Sequence, residues 1–505
     1  MISKTTFKFP TAFSILFIIL IMAVGLTWII PAGAYSKLVY EGVNNNFIVK
    51  SYNQEDKFYP ATKETLDKFN IKIDLNNFTE GKIRKPVAIP GSYQRVAQNP
   101  KGINDITISM VKGTIEAADV MVFIFILGGM IGVINKTGAF HAGLSALARK
   151  AEGNEFFIVF SVCVLMAIGG TTCGIEEEAV AFYPILVPVF IALGYDAMIC
   201  VGAIFLAASM GTAFSTINPF SVVIASNAAG IPFTEGIIFR FIGLVLGSVC
   251  VITYLYWYSR KLKLDPKFSY SYEEKAVFER LYFQDFDKDK GLQFTLRRKI
   301  ILSLFCIGFP IMILGVMFGG WWFPEMAASF LTLTIIIMFV SKLRESEIVN
   351  SFTHGAADLV AVSLIIGLAR GVNLILDEGM ISDTILAYMS EVVADMPSGI
   401  FIIAQLAIFV ILGLFVPSSS GLAVLSMPIM APLADAVGIP RHIVVSAYNW
   451  GQYAMLFLAP TGLVLVTLQM LNIPFNKWVK FVMPMIVALL VIASILLIVQ
   501  VEIYS

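Results

Sequence analysis

The chain has 505 residues, 58% hydrophobic and 14% charged, with a mean hydropathy of +0.82. Soluble proteins carry about 25% charged residues, so this composition excludes an ordinary soluble domain and points to an all-α polytopic membrane protein. The charges balance at 35 basic and 35 acidic, with no basic arm suited to nucleic acid. Cys163, Cys173, Cys200, Cys250 and Cys306 stand singly in apolar segments without CxxC spacing and read as small buried hydrophobes. A phosphate-cradling GxxxxGK[ST] loop is absent from the sequence, which argues against an ATP-driven pump in one chain.

Phe13 to Ile30 lies behind Lys4 and Lys8 and is too long and aromatic for a cleaved signal, so it reads as a first span running outward. Residues 32–102 form a polar excursion. Its basic residues do not forbid an outside location, because loops beyond about 60 residues translocate largely regardless of charge. Ile103 to Ala118 is mixed and could lie along the interface, followed by a span from Val120 to Ile134. Phe156 to Gly169 and Ala179 to Leu193 are each shorter than the ~20 residues of a full span and suggest a re-entrant hairpin, 156–193. Next come a broken helix over 198–224, interrupted at Ser215 to Pro219, and a returning span from Ile237 to Trp257. Residues 1–258 make a first half.

Ser259 to Lys299 carries eleven Lys/Arg against seven acids and reads as a cytoplasmic linker, 259–299. The second half, 300–505, holds spans at Ile300 to Phe318, Met326 to Val340 and Leu359 to Leu376. A second hairpin over 401–437, a broken helix over 443–471 and a last span from Val479 to Val499 complete it.

The halves echo each other. Pro184, Pro188 and Gly194 recur as Pro428, Pro432 and Gly438, all shifted by 244 positions; Ala117-Ala118-Asp119 recurs as Ala356-Ala357-Asp358, shifted by 239; Gly170 to Gly174 meets Pro417 to Gly421, shifted by 247. An internal duplication follows. Counting spans makes Val120 to Ile134 run inward and Leu359 to Leu376 outward, so the repeats are predicted to be inverted, with hairpins entering from opposite faces.

Backbone that leaves the helix at membrane depth is tolerated where protein or a water-filled cavity satisfies it, so the interruptions mark a candidate binding site. Hydroxyls sit at both hairpin tips: Thr171 and Thr172 in the first, Ser418, Ser419 and Ser420 in the second. They can replace a ligand's hydration shell or merely cap the half-helices. Glu176, Glu177 and Glu178 have no counterpart at Leu422-Ala423-Val424, and the first hairpin is longer, ten positions from Gly174 to Pro184 against seven from Gly421 to Pro428. Acids at membrane depth are a functional-site hypothesis, although carboxylates also favour a helix N-terminus. Arg370, matched by Ile131 in the first repeat, could hold a substrate carboxylate or pair with a hairpin glutamate. Thr216 and Asn218 mark the first break; Asn449 and Thr461 mark the second broken helix. Trp450 and Tyr453 could stack on a cationic group or anchor at the interface. His141, His354 and His442 lack ligand spacing, and no metal site or other cofactor is expected.

With these residues placed, the chain resembles the YfcC family of bacterial carriers, which includes arginine/ornithine antiporters of the ArcD type and stands beside the anaerobic C4-dicarboxylate carriers. The most specific stretches are Gly169 to Glu178, Ala181 to Pro184, Ser215 to Phe220, Gly367 to Gly371 and Pro417 to Gly421. The resemblance implies a secondary carrier of the ion-transporter superfamily in a bacterial inner membrane. It also implies a transport domain bearing both hairpins that slides, elevator-fashion, against a dimeric scaffold. It matches a glutamate pair to Glu177 and Glu178, from which Glu176 departs. A channel would not need two tip-bearing hairpins, and an intramembrane protease is disfavoured by the lack of HExxH and GxGD. The acidic triplet with Arg370 suits a zwitterion bearing an extra positive charge, so arginine/ornithine exchange is expected ahead of dicarboxylate transport, with H+ or Na+ as possible coupling ions.

Overall fold

The computed structural model describes residues 11–42, 44–79, 83, 86–140, 142, 143, 146, 153–175, 178–275, 293–319, 321–393, 396–460 and 463–504. Helix α1 (Ala12–Ile29) is apolar throughout and is capped by the Thr11 hydroxyl, which accepts from the Ser14 N–H. The polar excursion that follows corrects the all-α expectation, because it folds. Strands β1 (Gly33–Ala34), β2 (Lys37–Glu41), β3 (Asn46–Lys50) and β4 (Lys57–Pro60), helices α2 (Lys63–Lys68) and α3 (Leu75–Thr79), and strands β5 (Val87–Ala88) and β6 (Gln94–Arg95) make a small inserted domain. Its antiparallel sheet runs in the order β4-β3-β2-β5, with β1 paired to β6. Leu38, Phe47 and Val49 turn inward at alternate positions onto Phe78 and Val87, the period-2 pattern of a half-buried sheet.

Helices α4 (Ile103–Glu116) and α5 (Ala118–Lys136) meet at a break on Ala117. One face of α4 packs on a helix of the second half, while Ile103, Val111 and Ile115 stay exposed. Next come α6 (Phe156–Cys173), a 3-10 turn (Glu178–Phe182), α7 (Tyr183–Ala192) and α8 (Ala197–Val201). A π-helical turn (Gly202–Leu206), α9 (Ala207–Ala213), a second π turn (Pro219–Val223), α10 (Ile224–Ala229) and α11 (Ile237–Leu264) complete the half. The second half contains α12 (Leu296–Gly319), α13 (Phe323–Ser341), α14 (Glu345–Ala357), α15 (Val360–Glu378) and α16 (Ser382–Val393). It ends with α17 (Ser398–Phe415), α18 (Ser419–Ala436), α19 (Arg441–Leu456), α20 (Val464–Met470) and α21 (Phe475–Tyr504). Among the described residues six helices, α5, α11, α13, α17, α18 and α21, are long and apolar enough to cross a membrane. The protein is a multi-pass membrane protein.

The duplicated sequence landmarks fall on like elements. α4 and α5 correspond to α14 and α15, each pair broken at its Ala-Ala-Asp signature, and they cross-pack: α4 on α15 and α5 on α14. Lipid gives no hydrophobic drive between helices, so close backbone approach at small residues has to supply it. A Cβ on Gly132 would lie 2.1 Å from the Ser351 carbonyl oxygen, and one on Gly355 would lie 2.2 Å from that of Gly128. The hairpin legs dock in the same manner. α6 meets α9 where a Cβ on Gly211 would stand 2.2 Å from the Ala167 oxygen, and α17 meets α19 where one on Gly451 would stand 2.6 Å from the Leu406 oxygen. The legs of the second hairpin are 18 residues each, the shorter limit of a spanning helix, whereas α7 in the first has only 10.

Candidate functional site

The first hairpin tip and the first helix break are knitted together. Thr171 Oγ1 accepts the Thr216 N–H at 2.9 Å and lies 3.1 Å from Thr216 Oγ1. Asn218 Nδ2 donates to the Gly170 carbonyl at 3.0 Å, while its Oδ1 accepts from the Phe220 N–H at 2.8 Å. Pro219 explains the geometry: it cannot donate and holds Asn218 out of the helical region, so Asn218 is extended and its side chain caps the turn that follows. The π turn after it is of a kind that recurs at functional positions.

The second broken helix completes the cluster from the other side. Asn449 on α19 donates through Nδ2 to Ser215 Oγ at 2.9 Å and to the Thr212 carbonyl at 3.2 Å, and Ser215 Oγ lies 3.0 Å from Ser221 Oγ. At the second tip, Ser418 caps α18 by accepting from the Gly421 N–H; Ser419 Oγ donates to the Phe220 carbonyl at 3.2 Å; Tyr448 donates to the Ser419 carbonyl at 2.6 Å. Both tips therefore reach the first break, and α19 lies beneath them.

Thr171, Asn218, Ser215, Ser221, Thr212 and Asn449 are buried, while Thr216, Ser418, Ser419 and Ser420 are half-buried at the rim. Thr172 Oγ1 donates to the Ile168 carbonyl at 2.7 Å, a back-bond within its own helix. Ser420 sits in the first turn of α18. Glu176, Glu177 and Thr461 lie outside the described residues, as does His141; the backbone of Glu178 opens the 3-10 turn. Arg370 is half-buried on α15 and forms no hydrogen bond or ion pair with the tips or breaks among the described residues.

Trp450 is buried against Phe214, ring centroids 5.2 Å apart, and Tyr453 is buried one turn on, so neither is an interface anchor. His442 packs its ring edge-on to Tyr504; His354 lies in the last turn of α14.

Two orphaned acceptors stand on one face of α19. Among the described residues Asn449 Oδ1 has no partner, nor has Gln452 Oε1, whose amide nitrogen reaches the Val416 carbonyl; both residues are fully buried. Flipping the Asn449 amide would aim Oδ1 at the Thr212 carbonyl, so the neighbouring acceptor decides its orientation. A buried acceptor without a donor is costly, about 1–3 kcal/mol, and an ordered water or a ligand donor is what satisfies such a group. Sequence reasoning missed Gln452, Ser215, Ser221 and Tyr448. The spacing Asn449–Gln452, three residues on a helix, was the available signal. It also missed Arg240 in α11, a fully buried charge whose guanidinium donates to the Phe233 carbonyl.

The C4-dicarboxylate anaerobic carrier family model matches residues 9–502. The chain belongs to this family. The protein is accordingly a member of a transporter family. A Haemophilus influenzae protein of uncharacterised function is 73% identical over 502 residues, 99% of each chain. The Escherichia coli putative basic amino acid antiporter YfcC is 26% identical, covering 97% of this chain and 96% of its own. Among solved structures, Neisseria gonorrhoeae MtrF, described within a class of antimetabolite efflux pumps, aligns over 99% of this chain and 96% of its own at 14% identity and a TM-score of 0.39. The Alcanivorax borkumensis YdaH transporter aligns over 98% of this chain and 99% of its own at 13% identity and a TM-score of 0.40.

Proposed function

We propose that the protein is a secondary active carrier of a bacterial inner membrane that exchanges basic amino acids, arginine for ornithine, by alternating access. The observation that carries this reading is the pair of orphaned acceptors, Asn449 Oδ1 and Gln452 Oε1, beneath two hairpin tips. A buried acceptor needs a donor, and an ammonium or guanidinium group has donors to spare. Glu177 or Glu178 would neutralise that group, while Arg370 and the Ser/Thr tips would take the α-carboxylate. Three glutamates make two desolvated carboxylates unfavourable unless they are protonated. The description of YfcC as a putative basic amino acid antiporter agrees with this choice.

The duplicated, cross-packed helix pairs support inverted repeats, in which both hairpins are re-entrant and belong to one domain that slides against a dimeric scaffold. A second reading, a C4-dicarboxylate or other organic-anion carrier coupled to H+ or Na+, is favoured by the family description and by Arg370, which has no carboxylate partner among the described residues. Counterflow into proteoliposomes loaded with arginine, ornithine, succinate or a dipeptide separates the two. Exchange of arginine that is lost in Arg370→Ala and in Glu177→Gln or Glu178→Gln is the expected result. Uptake of succinate without arginine, or full arginine exchange in both glutamate variants, overturns the basic amino acid assignment.

A further inference from the structure

The first part of the 259–299 segment folds back on the bundle. Asp196, between α7 and α8, is the anchor. Its Oδ1 accepts from the Ile199 N–H at 3.0 Å; its Oδ2 accepts from the Tyr258 hydroxyl of α11 at 2.8 Å and from Ser269 Oγ at 2.5 Å. Ser269 continues to Ser271 Oγ at 3.2 Å, and the Tyr270 N–H donates to the Tyr258 oxygen at 3.1 Å. Lys477 fastens the far side of this strap to Glu273 and Glu274, at 2.8 and 2.7 Å.

Beneath the strap lies a cavity of about 140 Å³, bounded by Tyr195, Asp196, Ser269, Ser271, Tyr272 and Lys275. Two features of its wall ask for a ligand. Asp196 is held by three neutral donors and by no ion pair among the described residues, although a carboxylate taken out of water needs a counter-charge. Tyr195 is 95% buried, yet its hydroxyl has no hydrogen-bond partner among the described residues. Burial pushes the Asp196 carboxyl above its ordinary value, the response of an acid whose charge is uncompensated.

The neighbouring cations are engaged elsewhere. Lys263 lies over the Tyr195 ring at 5.4 Å and pairs with Glu155 at 2.9 Å; Lys477 pairs with the strap; Lys275 stands at the cavity wall with an interaction of its own.

We propose that this cavity is a monovalent-cation site, separate from the tip cluster, in which Asp196 supplies charge and the Tyr195 and Ser271 hydroxyls supply oxygen donors. The occupant is an alkali ion or a primary ammonium group. Because the wall is built from α7, α8, α11 and the strap, the bound cation would tie the strap to the second leg of the first hairpin.

The test is binding to purified full-length protein and uses no transport assay, so it stands or falls apart from the exchange reading. Thermal unfolding is followed while KCl, NaCl, NH4Cl or lysine hydrochloride is titrated, with choline chloride matching ionic strength. A saturable rise in midpoint above the choline baseline is expected, alkali salts alone identifying an ion and lysine identifying an organic ammonium. Asp196→Asn should abolish the rise. Tyr195→Phe removes a hydroxyl that bonds nothing in the fold, and it should move half-saturation to about tenfold higher salt. Curves that superimpose on choline in the wild type overturn the site, as does an unchanged response in Tyr195→Phe. Dependence that emerges only in Lys275→Met also overturns it, because Lys275 would then be the resident cation.

Discussion

Asn449 makes two side-chain hydrogen bonds, both through its nitrogen, to the Thr212 carbonyl and to Ser215 Oγ, while its oxygen has no donor among the described residues. Asn449→Leu removes the donor bonds together with the orphaned oxygen, leaving Ser215 with Ser221 as a partner. The fold should lose about 1–3 kcal/mol of stability, read as a lower thermal midpoint, and counterflow should fall to background. Retention of full exchange would remove Asn449 from the site. Gln452 is tested alongside it: Gln452→Leu should raise the half-saturating substrate concentration while leaving the protein folded, because its amide makes a single weak bond at 3.4 Å to Val416.

At the level of elements, the crossed helix pairs depend on glycine. Gly132→Leu drives a side chain into backbone 2.1 Å away, whereas nothing lies within 4 Å of a Cβ on Gly25. Overpacking costs about 1–3 kcal/mol, so Gly132→Leu should lower the thermal midpoint and Gly25→Leu should not; equal midpoints would show that α5 and α14 can part without loss. The inserted domain is held on α16 by polar contacts, Tyr35 N–H to Asp383 at 3.0 Å and Tyr93 to Thr384 at 3.1 Å; beside them Lys101, at the end of the excursion, and Lys112 of α4 reach Glu378 of α15 at 3.2 and 2.8 Å. The hydrogen bond and charge of Lys112, with those of Lys101, hold the Glu378 carboxyl below its ordinary value of 4.5.

A depressed carboxyl stabilises the docked form fully above its unfolded value, and the contribution is lost as pH falls through the folded one. Docking should therefore be constant from pH 8 to about 5 and weaken only below about 4.5. Hydrogen exchange at residues 33–41 reads it. Glu378→Gln should remove that acid dependence, and loss of protection already near neutral pH would assign the docking to another group.

For the whole molecule, orientation and motion are the open quantities. Asn45→Cys in the inserted domain should react with membrane-impermeant thiol reagents in intact cells, and Asp287→Cys in the linker should be shielded; the opposite pattern would overturn the inverted arrangement. Thr172→Cys and Ser419→Cys should change accessibility reciprocally if the hairpins gate a sliding domain. Simultaneous access to both from one face would rule out alternating access in this form.

Span-length apolar runs by themselves determined the long spanning helices, because a bilayer leaves buried backbone few alternatives to internal hydrogen bonds, whereas the more polar α14 and α16 were not read from the sequence. The interruption at Ser215 to Pro219 was legible as well, since Pro219 acts on the local backbone. The inserted domain was illegible as a fold: its strands are two to five residues long and their pairing reaches as far as Gly33 with Arg95, 62 positions away. Tertiary structure alone decided which hydroxyls bond within their own helix, as Thr172 and the capping Ser418 do, and which cross to another, as Thr171 and Ser419 do. It also decided that Asn449 and Gln452 keep an unpaired oxygen and Asp196 a cavity. A sequence states that a group can accept a hydrogen bond; only the packing of distant elements settles whether a donor arrives.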